Sequence, residues 1–230
     1  MSLVAANLAS VSQHSFHGSQ TNPCTGVLSV SSSVANTLNL MTEISAAAIN
    51  DAFIRAPLLQ WLRALHPDSL DAKLLEEFKM PRPSARIDVA LVNGEMTGFE
   101  IKSDRDTLTR LSLQIPAFSK FFDHVSLVTT TKHLAEARVK IPRWWGIIIF
   151  REDGSFDVTR SPKRNTKIDA ASLLFALSKA ELASVARAAG ISIPSASKKD
   201  AMVETLVLSV QQPLLCKLAR EVIKLRIPSA

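Results

Sequence analysis

Residues 86–102, RIDVALVNGEMTGFEIK, decide how this chain is read. They form two short apolar runs on either side of Asn93-Gly94, a dipeptide that marks a hairpin turn. The first run carries Asp88 between Ile87 and Val89, and the second carries Glu100 and Lys102 around Ile101. Charge set into apolar strands is costly unless it is paired or used. Two acids beside a lysine make a divalent metal the natural candidate. A plain two-residue turn would place Val92 opposite Glu95 and Ile87 opposite Glu100, mixing the faces. A three-residue turn, or a bulge near Gly98, pairs Asp88 with Glu100 instead. Ile87, Val89, Phe99 and Ile101 then share one face, and Asp88, Glu100 and Lys102 the other. The hydrophobic pattern selects that register.

Downstream, Ser103-Asp104-Arg105-Asp106 supplies cap candidates for a helix over 107–122, with Leu108, Leu111, Ile115, Phe118 and Phe122 as its apolar stripe and Pro116 as a kink. Gln114 lies at the border of that stripe, placed either to pack at the helix edge or to reach back toward the hairpin. Strands follow over 124–130 and 145–150, with a short helix over 132–139 between them and an edge strand over 156–159 after a turn. Upstream, the spacing of Ile44, Ala47, Ile54, Leu58 and Leu62 predicts a helix from Thr42 to Leu65, kinked or split at Pro57. On it, Asp51 and Arg55 lie one turn apart, as a solvent-facing pair would. The run KLLEEFKM is a first strand or a helix end leading into one. Its Glu77 is either a further acid for the hairpin or a solvated neighbour of Glu76. His124 and His133 stand apart from other ligand types and fit strand-end or surface positions.

The stretch Arg160 to Lys167, RSPKRNTK, is a basic linker containing a proline, and the chain beyond it is helical. Ser178-Lys179-Ala180-Glu181 is a capping-box pattern opening a helix that Gly190 ends. Ile191 to Pro194 is extended, and a second helix starts at Ser197–Asp200. A last helix over 214–225 carries Lys217, Arg220 and Lys224, with Arg226 just beyond. Residues 1–40 contain no Asp, Glu, Lys or Arg and show no period. They read as a polar, disordered tail in which His14, His17 and Cys24 are bystanders, without the marks of a signal or transit peptide. Met41 opens the first patterned segment, where translation is expected to start. Four segments result: a tail (1–40), an α/β domain (41–160), a basic linker (161–167) and a helical module (168–230).

Composition narrows the partners. No apolar run approaches the roughly 18 residues of a membrane span. The two cysteines, Cys24 and Cys216, form no metal or redox spacing, which fits a reducing cytosol. Tyrosine is absent, so no tyrosine mechanism operates. The net charge of +6 is uneven: residues 161–230 hold 11 Lys/Arg against 5 Asp/Glu, while residues 1–160 hold 16 of each. A basic C-terminal third points to a polyanion.

An Asp followed by Glu-x-Lys on the next strand resembles the core motif of the PD-(D/E)XK nuclease superfamily. The run RIDVALVNG…GFEIKSDRDTLTRLSLQ, then FDHVSLV and WWGIII, looks like a family of short bacterial and phage proteins within it, over roughly Ile44 to Phe150. No Pro precedes Asp88, as in many members. The resemblance implies a restriction-endonuclease-like fold, an αβββαβ mixed-sheet core followed here by a small all-α module. It also implies a Mg²⁺-dependent deoxyribonuclease, with Mn²⁺ able to substitute. Asp88, Glu100 and the Ile101 main-chain carbonyl would hold the metal, with Glu77 as a further ligand. Lys102 would orient the attacking water or stabilise the transition state, and Gln114 would position lysine, water or phosphate. The segment SKAELASVARAAGISIPSASKKDAMVETL resembles SAP and related helix-extended-helix modules, in which Lys198, Lys199 and Arg187 would meet DNA phosphate, in duplex form. The other reading of this module is a helical subdomain packed on the core or at a homodimer interface. The rival to the nuclease as a whole is a non-catalytic DNA-binding or regulatory protein on the same fold. Such families occur in phages and mobile elements, so the resemblance implies the cytoplasm of a bacterial or phage-infected cell, with a phage or host protein as a further expected partner.

Overall fold

The protein is described from a computed structural model covering residues 50–67 and 72–226; the tail, its His14, His17 and Cys24, and Met41 lie outside the described residues. Asn50 caps the first helix among the described residues, α1 (Asp51–Leu65), its side chain accepting the Phe53 N–H at 3.0 Å. That bond satisfies one of the donors a first turn leaves free. Ile54, Leu58, Leu59 and Leu62 form its buried stripe, and Pro57 is accommodated inside the helix. The run after it is a strand, β1 (Lys73–Pro81), followed by β2 (Ser84–Val92) and β3 (Met96–Lys102), each antiparallel to the last. Helix α2 (Leu111–Phe121) leads to β4 (His124–Thr129), parallel to β3. A 3-10 turn (Thr131–His133) and α3 (Leu134–Lys140) lead to β5 (Gly146–Phe150), parallel to β4, and β6 (Phe156–Arg160) closes the edge antiparallel. The six strands lie in sequence order in one mixed sheet with helices, an α/β architecture.

The hairpin register is the one the apolar pattern selects. Val92 pairs with Met96 across a three-residue loop in which Asn93 N–H donates to the Glu95 carbonyl and Gly94 takes φ 90°. The ladder runs to Val89 opposite Phe99, and beyond it the Asp88 side chain accepts the Ile101 N–H. The predicted faces need one correction. Val89, Phe99 and Ile101 pack under α1, but Ile87 lies in the opposite cluster with Phe78 and Ala90. Its Cδ1 fills the space where a Cβ on Gly98 would sit, 2.3 Å away. The exchange coincides with Glu77, which takes φ 52° in mid-strand where the β1–β2 ladder passes from Glu76–Val89 to Phe78–Ile87. That left-handed residue interrupts the pleat beside Asp88.

Helix α2 starts later than expected. Asp106 accepts the Ser103 N–H and hydroxyl at 2.8 and 2.5 Å, closing a loop at the end of β3 in place of capping a helix. Beyond β6 come α4 (Ala170–Phe175), α5 (Lys179–Ala188), α6 (Lys199–Ser209) and α7 (Gln212–Lys224). The capping box of Ser178 and Glu181 is formed in both directions, and Gly190 ends that segment at φ 73°. These helices and α2 cover one face of the sheet in a single apolar cluster, in which Phe78, Phe121 and Val125 meet Leu173, Leu177, Leu215 and Ile223. The basic linker is pinned to it: buried Asn165 donates to the carbonyls of Ser119 and Phe122 at 2.6 and 2.9 Å. Among the described residues no helix is long and apolar enough to cross a membrane.

Candidate functional site

A cavity of about 410 Å³ opens where the start of α1, the centre of the β1–β2 pair, the end of β3 and the first turn of α2 converge. Asp88, Glu100, Ile101, Lys102 and Gln114 all line it, as does Glu77. Glu100 and Lys102 are nearly fully buried, on the same side of β3 two residues apart. Lys102 Nζ donates to Glu100 Oε1 at 2.5 Å, and Gln114 Nε2 donates to the same oxygen at 2.7 Å. Gln114 therefore reaches back into the site from the edge of its helix. Burial pushes the Glu100 carboxyl up to about 7, with the Asp88 charge adding and Lys102 and Gln114 opposing. Glu100 Oε2 and Gln114 Oε1 are buried without a partner.

Asp88 sits on the other wall. Its Oδ2 accepts the Ile101 N–H at 2.7 Å, and its Oδ1 faces Arg55 at 3.1 Å. Burial lifts its carboxyl above the usual aspartate range, against the Ile101 N–H, Arg55 and Lys102. Arg55 does not merely face solvent with Asp51. It holds Asp51 at 2.8 Å, Glu77 at 2.8 Å and Asp88 together, and it donates to the Asp88 carbonyl. Glu77 is a member of this cluster and also pairs with Arg86 Nε at 2.7 Å. The sequence showed the Asp51–Arg55 spacing but not this role, because nothing local to a helix announces a contact 33 residues away. Asp106 and Arg110 line the outer rim.

Asp88 and Glu100 offer carboxylate oxygens, the chemistry that suits a hard cation such as Mg²⁺. Glu100 Oε2 is the open donor. Both oxygens of Asp88 are engaged, so a cation reaching it competes with Arg55. Among the described residues no group of three or more His, Cys, Asp and Glu side chains is placed to hold a metal ion.

The other residues singled out lie elsewhere. Lys198 and Arg187 are exposed at the N-terminus of α6 and the end of α5, while Lys199 donates to the Phe175 carbonyl at 2.7 Å. Arg220, one of the basic residues of the last helix, turns inward to Asp123 at 2.9 Å. His133 bonds the Ser103 carbonyl at 3.0 Å, His124 faces Glu95 at 3.6 Å, and Cys216 is a buried free thiol.

Comparison with known proteins gives a family. The family described as bacteriophage P4 protein cII matches residues 45–229. Protein cII of Enterobacteria phage P4 is 27% identical over 160 residues, which are 68% of this chain and 60% of that protein. The chain thus spans less than two thirds of the curated relative's length. Among solved structures, a protein of unknown function from Silicibacter pomeroyi, SPO1766, matches with 21% identity over 44% of this chain and 66% of that one, at a TM-score of 0.33.

Proposed function

The chain belongs to the bacteriophage P4 protein cII family, and we propose that it is a DNA-binding, regulatory protein that does not cleave, built on a nuclease-like fold. One observation carries this reading: the acids that would hold a metal are already paired with cations of the chain's own. Arg55 pairs with Asp51, Glu77 and Asp88, Arg86 pairs with Glu77, and Lys102 pairs with Glu100. Acids paired in this way hold together without a metal, and the exposed cations around the rim are within reach of phosphate. Kinship with a phage protein supports a setting of phage or mobile-element DNA.

A second reading, metal-dependent hydrolysis of DNA, is favoured by a different observation. The four residues of the PD-(D/E)XK-like motif meet in one pocket, where Glu100 Oε2 is buried without a partner. On this reading Asp88, Glu100 and the Ile101 carbonyl would hold Mg²⁺, with Glu77 joining if it leaves Arg55 and Arg86. The ion would supply charge neutralisation and a more acidic bound water. Lys102 would stabilise charge building on the phosphate, and Gln114 would hold Glu100 in place.

Plasmid and linear duplex incubated with Mg²⁺ or Mn²⁺ separate the two. The expected result is no metal-dependent cleavage, with salt-sensitive DNA binding equal in wild type, Lys102→Ala and Glu100→Ala. Cleavage by wild type that both substitutions abolish would overturn the first reading in favour of the second.

A further inference from the structure

A second cavity, of about 690 Å³, lies against the β1–β2 hairpin and is lined by Lys79, Met80, Ser84, Arg86, Phe175 and Lys199. It shares Ser84, Ala85 and Arg86 with the acid–lysine pocket, so the two open onto a common rim. That rim carries several cations. Lys79, Arg82 and Arg86 are exposed, and Lys199 is half-buried beneath them. Arg82 lies with its guanidinium 4.1 Å from the centre of the Phe175 ring, a cation–π contact that ties the hairpin tip to α4. Its partner Asp200, at 3.1 Å, and the Glu77 partner of Arg86, at 2.7 Å, are both solvent-accessible. Exposed pairs of this kind are weak and readily give way to a polyanion.

We propose that the backbone of one DNA strand follows this rim, from the acid–lysine pocket across the β1–β2 hairpin to α6, with Lys79, Arg82 and Arg86 as its phosphate contacts. The proposal deepens the DNA-binding reading and rests on it. A row of separate cations suits a repeating anion better than a single bound phosphate. The apolar floor of Met80 and Phe175 suits the sugar face between phosphates. The row also joins the pocket to Lys198 and Lys199, so two regions of the chain that sequence keeps apart act on one ligand.

The test is a salt titration of binding to a fluorescently labelled duplex, using the full chain. In a Lys79→Gln/Arg82→Gln double variant, the slope of log affinity against log salt should become shallower by about 2, roughly 0.9 for each phosphate contact. A Lys140→Gln/Arg151→Gln pair, which removes the same charge elsewhere, should keep the wild-type slope. Arg82→Lys retains the charge and should keep the slope too, which separates phosphate contact from any loosening of the hairpin. A wild-type slope in the groove variant overturns the track while leaving DNA binding standing. An equal fall in both double variants would make the effect one of net charge and would overturn it as well. Displacement of DNA by polyglutamate at equal charge concentration would assign the groove to an acidic peptide instead. If wild type shows no salt-sensitive binding, both this proposal and the reading beneath it fall.

Discussion

Arg55 sets the charge of the pocket. Without its guanidinium, Asp51, Glu77 and Asp88 are left as three acids around one cavity, Asp88 largely buried. Stranding a buried charge costs more than a buried pair gains, so Arg55→Met should destabilise the fold by about 2–3 kcal/mol in urea titrations at neutral pH. The loss should shrink in acid as Asp88 takes up a proton; an effect independent of pH would mean these acids are solvated. Mn²⁺ should raise the melting temperature of the variant more than that of wild type, because the competitor for Asp88 is gone. Glu100 gives a second pH test. Its carboxyl, lifted to about 7, holds a proton in the folded chain that the unfolded chain releases from its ordinary value upward. The associated stability is complete below that ordinary value and is lost as pH rises through about 7. Glu100→Gln has no proton to release. Wild type should therefore lose about 2–3 kcal/mol relative to the variant between acid and mildly alkaline pH, and parallel stability–pH curves would show Glu100 to be ordinary. The place of these acids was legible in the sequence, because the apolar pattern around Asn93-Gly94 selects one register, although it puts Ile87 on the wrong face. Arg55 was not, because its spacing from Asp51 already accounted for it within the helix.

Between elements, the decisive contact is α7 against the end of the sheet. Asp123 follows α2, accepts the Met96 N–H at 2.8 Å with one oxygen and meets Arg220 of α7 with the other. Burial raises the Asp123 carboxyl, and Arg220 and the Met96 N–H oppose it. Arg220→Met should cost about 3 kcal/mol by leaving that carboxylate without its counter-ion. Lys217→Met, on the exposed side of the same helix, should change stability by less than about 0.5 kcal/mol. Matching urea midpoints for the two variants would show that the pair does not bind α7 to the sheet. A run of basic residues read along the chain does not distinguish an outward lysine from an inward arginine; only the buried partner 97 positions earlier does. The capping box, by contrast, is written within four residues, and it formed as the sequence implied. The start of α2 was misplaced for the converse reason: Asp106 has two uses, cap or loop closure, and the end of β3 imposes the second.

At the scale of the whole chain, two sequence features mislead for the same reason: each is an average taken along a line. Residues 1–160 balance their charges, yet the hairpin gathers Lys79, Arg82 and Arg86 on one rim. The polar, proline-containing stretch before α4 looks like a place where contacts thin out, yet buried Asn165 clips it to α2, and the helices beyond it fill the same apolar cluster as the sheet. A chain held in this way should unfold as one unit. Tryptophan fluorescence reports only the α/β part, since Trp61, Trp144 and Trp145 all lie before the linker, whereas helical circular dichroism reports α4–α7 as well. The two signals should trace a single coincident transition in urea. Ending the chain at Lys167 should remove the cover from Phe78, Phe121 and Val125 and leave a species that binds hydrophobic dyes and melts without cooperativity. Two separated transitions, or a truncated chain that melts as sharply as the full one, would mean that the helices and the sheet fold independently and that the shared cluster contributes little to either.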